Sequence, residues 1–300
     1  MAHPAEGSRA RRCSFFTVSA HLMLAVGLCS TLPAAESGPA ARGQPHQIGR
    51  ITHPPLGEAS GLVKSRQHPG VFWVINDSGN EPHLYAVNRT GKLLAEYRVK
   101  GALNADWEAL AADRAGHLYI GDIGNNLPIG RLPRRWVYRV KEPDPAQAPA
   151  RAGPDDPLPE LAVDQTYFYT FPAEPFDAEG MFFDRGSLYL VSKVSQGPTR
   201  LYRLPLERPG KSVALIAVGE LAGIPAVTDA ALSDDGRKLA VCSSSYAALF
   251  ELEAGEMVGR LTEKVPKVVR FAPREIEGCC WDGDDLILVS ETRELYRLRF

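Results

Sequence analysis

Asp106-Trp-Glu-Ala-Leu110, Leu118-Tyr-Ile-Gly-Asp122 and Val137-Tyr-Arg-Val140 make up the fullest copy of a pattern that occurs five times in this 300-residue chain. Each copy begins with an acidic or small polar residue and a short apolar run. A small turn leads to a second apolar run ending in a polar residue, and a third run of the type Leu-Tyr-x-Leu follows. Short apolar runs bounded by turns read as strands, and their recurrence about every 50 residues is the sequence signature of an all-β fold, the β-propeller. In a propeller, equivalent residues of every blade form a ring around one axis, so ring positions follow from aligning the copies.

Copy one runs from Glu58-Ala-Ser-Gly-Leu62 through Val71-Phe-Trp-Val-Ile-Asn-Asp77 to Leu84-Tyr-Ala-Val87. Copy three starts at Asp177-Ala-Glu-Gly-Met181, copy four at Val227-Thr-Asp-Ala-Ala-Leu232 and copy five at Glu275-Ile-Glu-Gly-Cys279. Matching Ser60, Glu108, Glu179, Asp229 and Glu277 gives steps of 48, 71, 50 and 48 residues. The long step contains a Pro-rich surface insertion at 143–163. Strand-like stretches at 92–99, 165–171, 213–218 and 265–271 supply fourth strands. The fifth copy lacks one, and residues 47–52 are placed to supply it, which removes an exposed sheet edge. Counting gives five blades of four antiparallel strands in one domain at 47–300, with six blades the alternative if a degenerate blade hides in a connection.

Residues 1–35 read as a secretory signal peptide: Arg9, Arg11 and Arg12 precede a short, mostly apolar run at 15–28, and Pro33-Ala-Ala35 offers small residues for cleavage. The run is short for a membrane anchor, so the expectation is an exported protein, periplasmic or secreted, with a flexible segment at 36–46 and no stable membrane insertion after cleavage. Cleavage would remove three Arg and one Glu, taking Lys+Arg from 34 to 31 and Asp+Glu from 36 to 35, a formal charge of −4. That balance argues against a nucleic-acid surface. Cys242, Cys279 and Cys280 would remain, an odd count. Three readings stand for them: small buried strand residues, a bridge from Cys242 to one of the pair, or a strained vicinal Cys279–Cys280 bridge.

The start of each first strand and the end of each second strand share one face of a propeller. One ring there holds Ser60, Glu108, Glu179, Asp229 and Glu277, and a second holds Asp77, Asp122, Lys193, Ser243 and Glu291. Four acids in the first ring, and three acids and one lysine in the second, sum to −6, more negative than the whole mature chain. Carboxylates crowded round a narrow channel must raise their pKa values, stay hydrated or share a cation. A hard divalent cation with oxygen ligands answers this best, calcium ahead of magnesium. The candidate metal ligands are therefore Glu108, Glu179, Asp229, Glu277, Asp77, Asp122 and Glu291, weighed against turn roles for Asp77 and Asp122 and against solvated or interblade roles for the first ring. Ser60, Lys193 and Arg131 are candidate ligand-binding residues, with Lys193 also a salt-bridge partner for the ring acids. Glu108, Glu179 and His83 are the candidate catalytic groups, His83 as a general acid or base. No phosphate loop, nucleophile elbow or zinc-protease helix occurs.

Ser60-Gly-Leu62, Asn76-Asp-Ser-Gly79, Asp106-Trp-Glu108, Gly121-Asp-Ile-Gly-Asn125, Glu142-Pro143, Val227-Thr228 with Ser233-Asp-Asp-Gly-Arg237, and Ser290-Glu291 occur in an order that resembles a family of exported bacterial β-propeller proteins. The resemblance runs from about residue 56 to Phe300 and implies the fold and export, with no activity assigned. The chain departs from that pattern at Ile75, where the family often has His, and at Ala109, where a second acid is common. More distantly, the acid-lined channel is similar to those of calcium-dependent propeller hydrolases such as phytases, lactonases and phosphotriesterases, at the level of fold alone. Two functions are consistent with these residues. One is cation and small-ligand binding at the channel mouth, extending to metal-dependent phosphoester, ester or lactone hydrolysis. The other is non-catalytic recognition of a protein, glycan or cell-envelope component, with structural ring acids. Oligomeric state is not legible in the sequence.

Overall fold

Each sequence copy becomes three consecutive antiparallel strands, because its alternating apolar positions can be buried only on a pleated surface. The computed structural model describes residues 43–126, 130–148, 156–272 and 274–300. Strand β1 (His46–Arg50) comes first in the chain. The strands β2 (Ala59–Lys64), β3 (Val71–Asn76), β4 (His83–Asn88) and β5 (Leu93–Lys100) form one four-stranded unit. The second contains β6 (Trp107–Ala112), β7 (His117–Asp122), β8 (Arg134–Lys141) and β9 (Glu160–Thr170). The third contains β10 (Ala178–Asp184), β11 (Ser187–Ser192), β12 (Thr199–Pro205) and, beyond the short β13 (Ser212–Ala214), β14 (Ile216–Leu221). The fourth contains β15 (Asp229–Leu232), β16 (Lys238–Ser243), β17 (Tyr246–Glu251) and β18 (Lys267–Arg270). The last contains β19 (Ile276–Asp282), β20 (Asp285–Ser290) and β21 (Glu294–Leu298), with β1 antiparallel to β21 as its outer strand. The innermost strands neighbour one another in the closed order β2, β6, β10, β15, β19 and back to β2. The fold is a β-propeller.

Apolar layers fill the space between adjacent units. Trp73, Ile75, Trp107, Leu110 and Tyr138 pack between the first and second units, and buried Glu142 accepts the Trp73 indole N–H at 2.8 Å across that seam. Ala240, Cys242, Cys279 and Leu288 pack between the fourth and last units. The repeated third-strand tyrosines Tyr85, Tyr138, Tyr202 and Tyr296 are all buried.

The structure refines several sequence expectations. The stretch at 213–218 divides in two: β13 turns away to pair in parallel with β9, and only β14 extends the third unit. Leu215 marks the switch, buried with its N–H donating to Thr170 O at 3.0 Å. The insertion expected at 143–163 ends earlier, since β9 starts at Glu160 and reaches across to pair in parallel with β5. At its other end, the Asp144 carboxylate accepts from Ala146 N at 2.9 Å and caps a 3-10 turn at Pro145–Gln147. The segment 43–46, expected to be flexible, is tied down at Gly43, whose N–H donates to Arg299 O at 2.9 Å. The leader at 1–35 lies outside the described residues. Among those described, no helix is long and apolar enough to cross a membrane.

Around the axis, the inner strands carry Gly61, Ala109, Gly180, Ala230 and Gly278 at matched positions. Close approach requires this: a Cβ added at Gly180 would sit 2.9 Å from Ala230 Cβ and 3.0 Å from its backbone N. Neither atom can move without shifting an inner strand. Gly180→Ala should therefore destabilise the protein by about 1–3 kcal/mol through overpacking, read as a lower denaturation midpoint in urea. An unchanged midpoint would show that the ring of strands can relax.

Candidate metal centre at the channel mouth

The register of the inner strands decides where each acid points. In β6, Trp107 pairs with Asp122 and Ala109 with Gly121, leaving Glu108 as an extra residue. In β10 the extra residue is Glu179, and in β19 it is Glu277. All three are β-bulges, which re-aim a side chain that strict alternation would send elsewhere. The three carboxylates line one cavity with Asp77, Asp106, Glu291, Lys193, Ser60, Ser78 and Asn126, and this cavity of about 130 Å³ opens to solvent.

Strand β15 has no bulge, and this corrects the placement of Asp229. It pairs with Cys242, the register position that Trp107, Ala178 and Ile276 hold in their own units. Its fully buried carboxylate therefore turns to the neighbouring strand and accepts the N–H of Cys279 at 2.7 Å, as well as that of Ala230. Asp229 is an interblade clamp and does not line the cavity. Asp122 is corrected too. Its register partner Trp107 makes it equivalent to Ser192 and Ser290, one residue before Lys193 and Glu291. A one-residue offset moves a strand side chain to the opposite face. Asp122 is accordingly fully buried, ion-paired with buried Arg135, and accepts from Ala105 N at 3.2 Å and Asp106 N at 3.1 Å.

His83 and Arg131 also lie away from the cavity lining. His83 Nδ1 lies 3.1 Å from Glu96 Oε1, with His53 on the other carboxylate oxygen at 3.0 Å. Arg131 is exposed and donates to Pro175 O at 2.9 Å. Ser60 does line the cavity, but its hydroxyl donates to Glu108 O at 3.0 Å. Lys193 lines it as well and holds Glu179 Oε1 at 2.9 Å.

Asp106 belongs to the site although the ring alignment omits it. Asp77, Asp106 and Glu108 each offer one carboxylate oxygen, and these atoms lie within 4.8 Å of one another. Asp106 is only 2% exposed, and among the described residues its Oδ2 has no hydrogen-bond partner. Gly124 backs the group: a Cβ there would fall 2.5 Å from Glu108 Oε1 and 2.6 Å from Asp106 Oδ2. The sequence signal was available, since Glu58, Asp106, Asp177 and Glu275 recur two residues before the matched ring position.

No protein-family model matches the sequence, and no curated protein matches it. Solved structures similar to it are propeller-like proteins at low identity. A virginiamycin B lyase from Staphylococcus aureus is 11% identical with a TM-score of 0.42, the match covering 81% of this chain and 66% of that one. The chain thus spans just under two thirds of the lyase. A chain of a nidogen/laminin complex is 10% identical with a TM-score of 0.41, covering 81% of each. A glutaminyl cyclase from Myxococcus xanthus is 13% identical with a TM-score of 0.45, covering 86% of this chain and 98% of that one.

Electrostatics in the cavity follow from burial and crowding. Burial, then the charges of Glu179, Asp77 and Asp106, push the Glu108 carboxyl well above the usual range. Burial raises Glu179 to about 8 even with Lys193 opposing it. Burial likewise raises Glu277 to about 7, again against Lys193. Asp77, Asp106 and Glu291 shift upward for the same first reason. Burial disfavours the Lys193 charge, but Glu179, Glu277 and Glu108 outweigh it and hold the ammonium above the ordinary lysine range. One ammonium among six carboxyls leaves the cavity short of positive charge.

A carboxyl with a raised folded-state pKa favours folding fully below its unfolded value, and that contribution is lost as pH rises through the folded value. For Glu277 the window runs from 4.5 to about 7. In chelator, Glu277→Gln should therefore gain thermal stability relative to wild type as pH rises across that window. A gap that closes with rising pH would contradict the assignment.

Proposed function

We propose that this chain is an exported β-propeller that binds a divalent cation, calcium, through Asp77, Asp106 and Glu108, and holds a small oxygen-bearing ligand above it in the cavity. The unpartnered, buried Oδ2 of Asp106 carries the reading. A carboxylate oxygen out of water with no donor is costly, and an ion bound by three carboxylates supplies what it lacks. Calcium suits the set because it accepts six to eight oxygens in irregular geometry. Asn126 shares the same lining. Glu179, Glu277 and Glu291 form the rest of the acidic wall, with Lys193 as its internal cation. Export rests on the basic and apolar leader, and the ordered motifs support kinship with exported bacterial propeller proteins.

Metal-dependent hydrolysis of a phosphoester, ester or lactone is the second reading. It is favoured by Glu277, which lines the same cavity outside the three-carboxylate group and titrates near neutrality. His83 has no part in it, being held by Glu96 away from the lining.

Asp106→Asn should weaken calcium binding by about 2 kcal/mol, roughly 30-fold, in isothermal titration. Gly124→Ala should do the same, because its Cβ would press on the Glu108 and Asp106 carboxylates. Lys193→Met should tighten calcium binding by about fivefold, since removing one positive charge from the cavity is worth roughly 1 kcal/mol. Wild-type protein that is folded and binds no divalent cation would end this reading.

A further inference from the structure

Three buried thiols lie outside the metal centre: Cys242, Cys279 and Cys280. Their directions differ. Cys242 pairs with Asp229 across β15 and β16, and residues paired across strands point to the same side of a sheet. The Asp229 side chain reaches the Cys279 N–H of β19 at 2.7 Å, so the Cys242 side chain also faces β19. Cys242 and Cys279 lie in one apolar cluster with Ala240, Ala247 and Leu288. Cys280, the next residue along the strand, points the other way, into a cluster with Leu62, Val74 and Val289 beside the first unit.

We infer that Cys242 and Cys279 are the sites of an interblade disulfide that staples the fourth unit to the last, with Cys280 remaining a thiol. The inference rests on the export reading for its oxidising compartment, not on the metal site. Cys242 and Cys279 share one apolar cluster between the two units. A vicinal bridge would have to turn Cys280 out of its own cluster, and a Cys242–Cys280 bridge would need the same rotation.

The reaction is thiol–disulfide exchange with a low-molecular-weight disulfide such as glutathione disulfide. One protein thiolate attacks it, forming a mixed disulfide and releasing one glutathione thiol. The second protein thiolate then displaces the other glutathione. The protein loses two electrons and two protons, and the reagent is reduced to two thiols. Cys242 and Cys279 are 0% and 1% exposed, and burial holds the Cys279 thiol well above its usual pKa. The bridge must therefore close during folding, before β19 docks on β16.

Full-length chain, unfolded and then refolded with glutathione disulfide and glutathione, should be alkylated without reduction, digested and mapped by mass spectrometry. The expected result is a linked Cys242–Cys279 peptide, two hydrogens lighter than its reduced parts, with Cys280 alkylated. Cys280→Ser should keep the link and Cys242→Ser should abolish it. Full alkylation of all three in the folded product, or a link involving Cys280, would overturn the inference. The same mapping on protein from expressing cells separates the two premises: a link that forms on refolding but is missing from a cell-derived chain with its leader intact counts against export alone.

Discussion

Five strands meeting around one axis leave almost no room between them, and the rest of the structure depends on that constraint. It demands small residues at Gly61, Ala109, Gly180, Ala230 and Gly278, and at the three glycines even a Cβ would press on a neighbouring strand. In three units the residue just before the small one is a bulged glutamate, Glu108, Glu179 or Glu277. The bulge turns that glutamate toward the channel mouth, where space reopens. Close packing on the axis and the acidic mouth are thus two consequences of one local geometry.

The fourth unit tests this account from within the fold. It carries an acid at the matched position, Asp229, but its strand pairing runs without interruption. Without the bulge, the carboxylate follows ordinary alternation and enters the interface with β19, where backbone N–H groups satisfy it. Burial raises its pKa well above the usual range although those N–H groups favour its charge. The same residue type in the same sequence slot thus becomes a clamp in one blade and a channel-mouth acid in three others. Register separates the two outcomes.

That distinction also marks how far the sequence could be read. The period, the strand triplets and the closure by β1 follow from apolar runs and spacing, which respond to burial and to the avoidance of sheet edges. Bulges leave no comparable mark, because one extra residue changes neither composition nor period. Aligning copies by motif therefore placed Asp122 beside Lys193 and Glu291, although its pairing with Trp107 sets it one position earlier, against Arg135. Asp106 was legible as a recurrent acid, yet it reads as the opening of a strand until the fold brings it against Glu108 and Asp77. His83 looked available for proton transfer because nothing in the chain reveals that Glu96, thirteen residues on, bridges it to His53.

The broken symmetry of the ring sets what the cavity can hold. Asp77 follows the first unit's second strand, while Asp106 and Glu108 lie at the start of the second unit, so the tightest carboxylate group lies at one seam and off the axis. Lys193 from the third unit is drawn to Glu179, and the last unit adds Glu277 and Glu291. The fourth unit contributes no side chain to the lining. The buried Asp106 oxygen that lacks a hydrogen-bond partner among the described residues belongs to that tightest group. Lys193 neutralises part of the acidic lining from within the chain. A ring of five inner strands thereby yields a one-sided cavity, with a tight carboxylate group where the first and second units meet and a tethered ammonium contributed by the third.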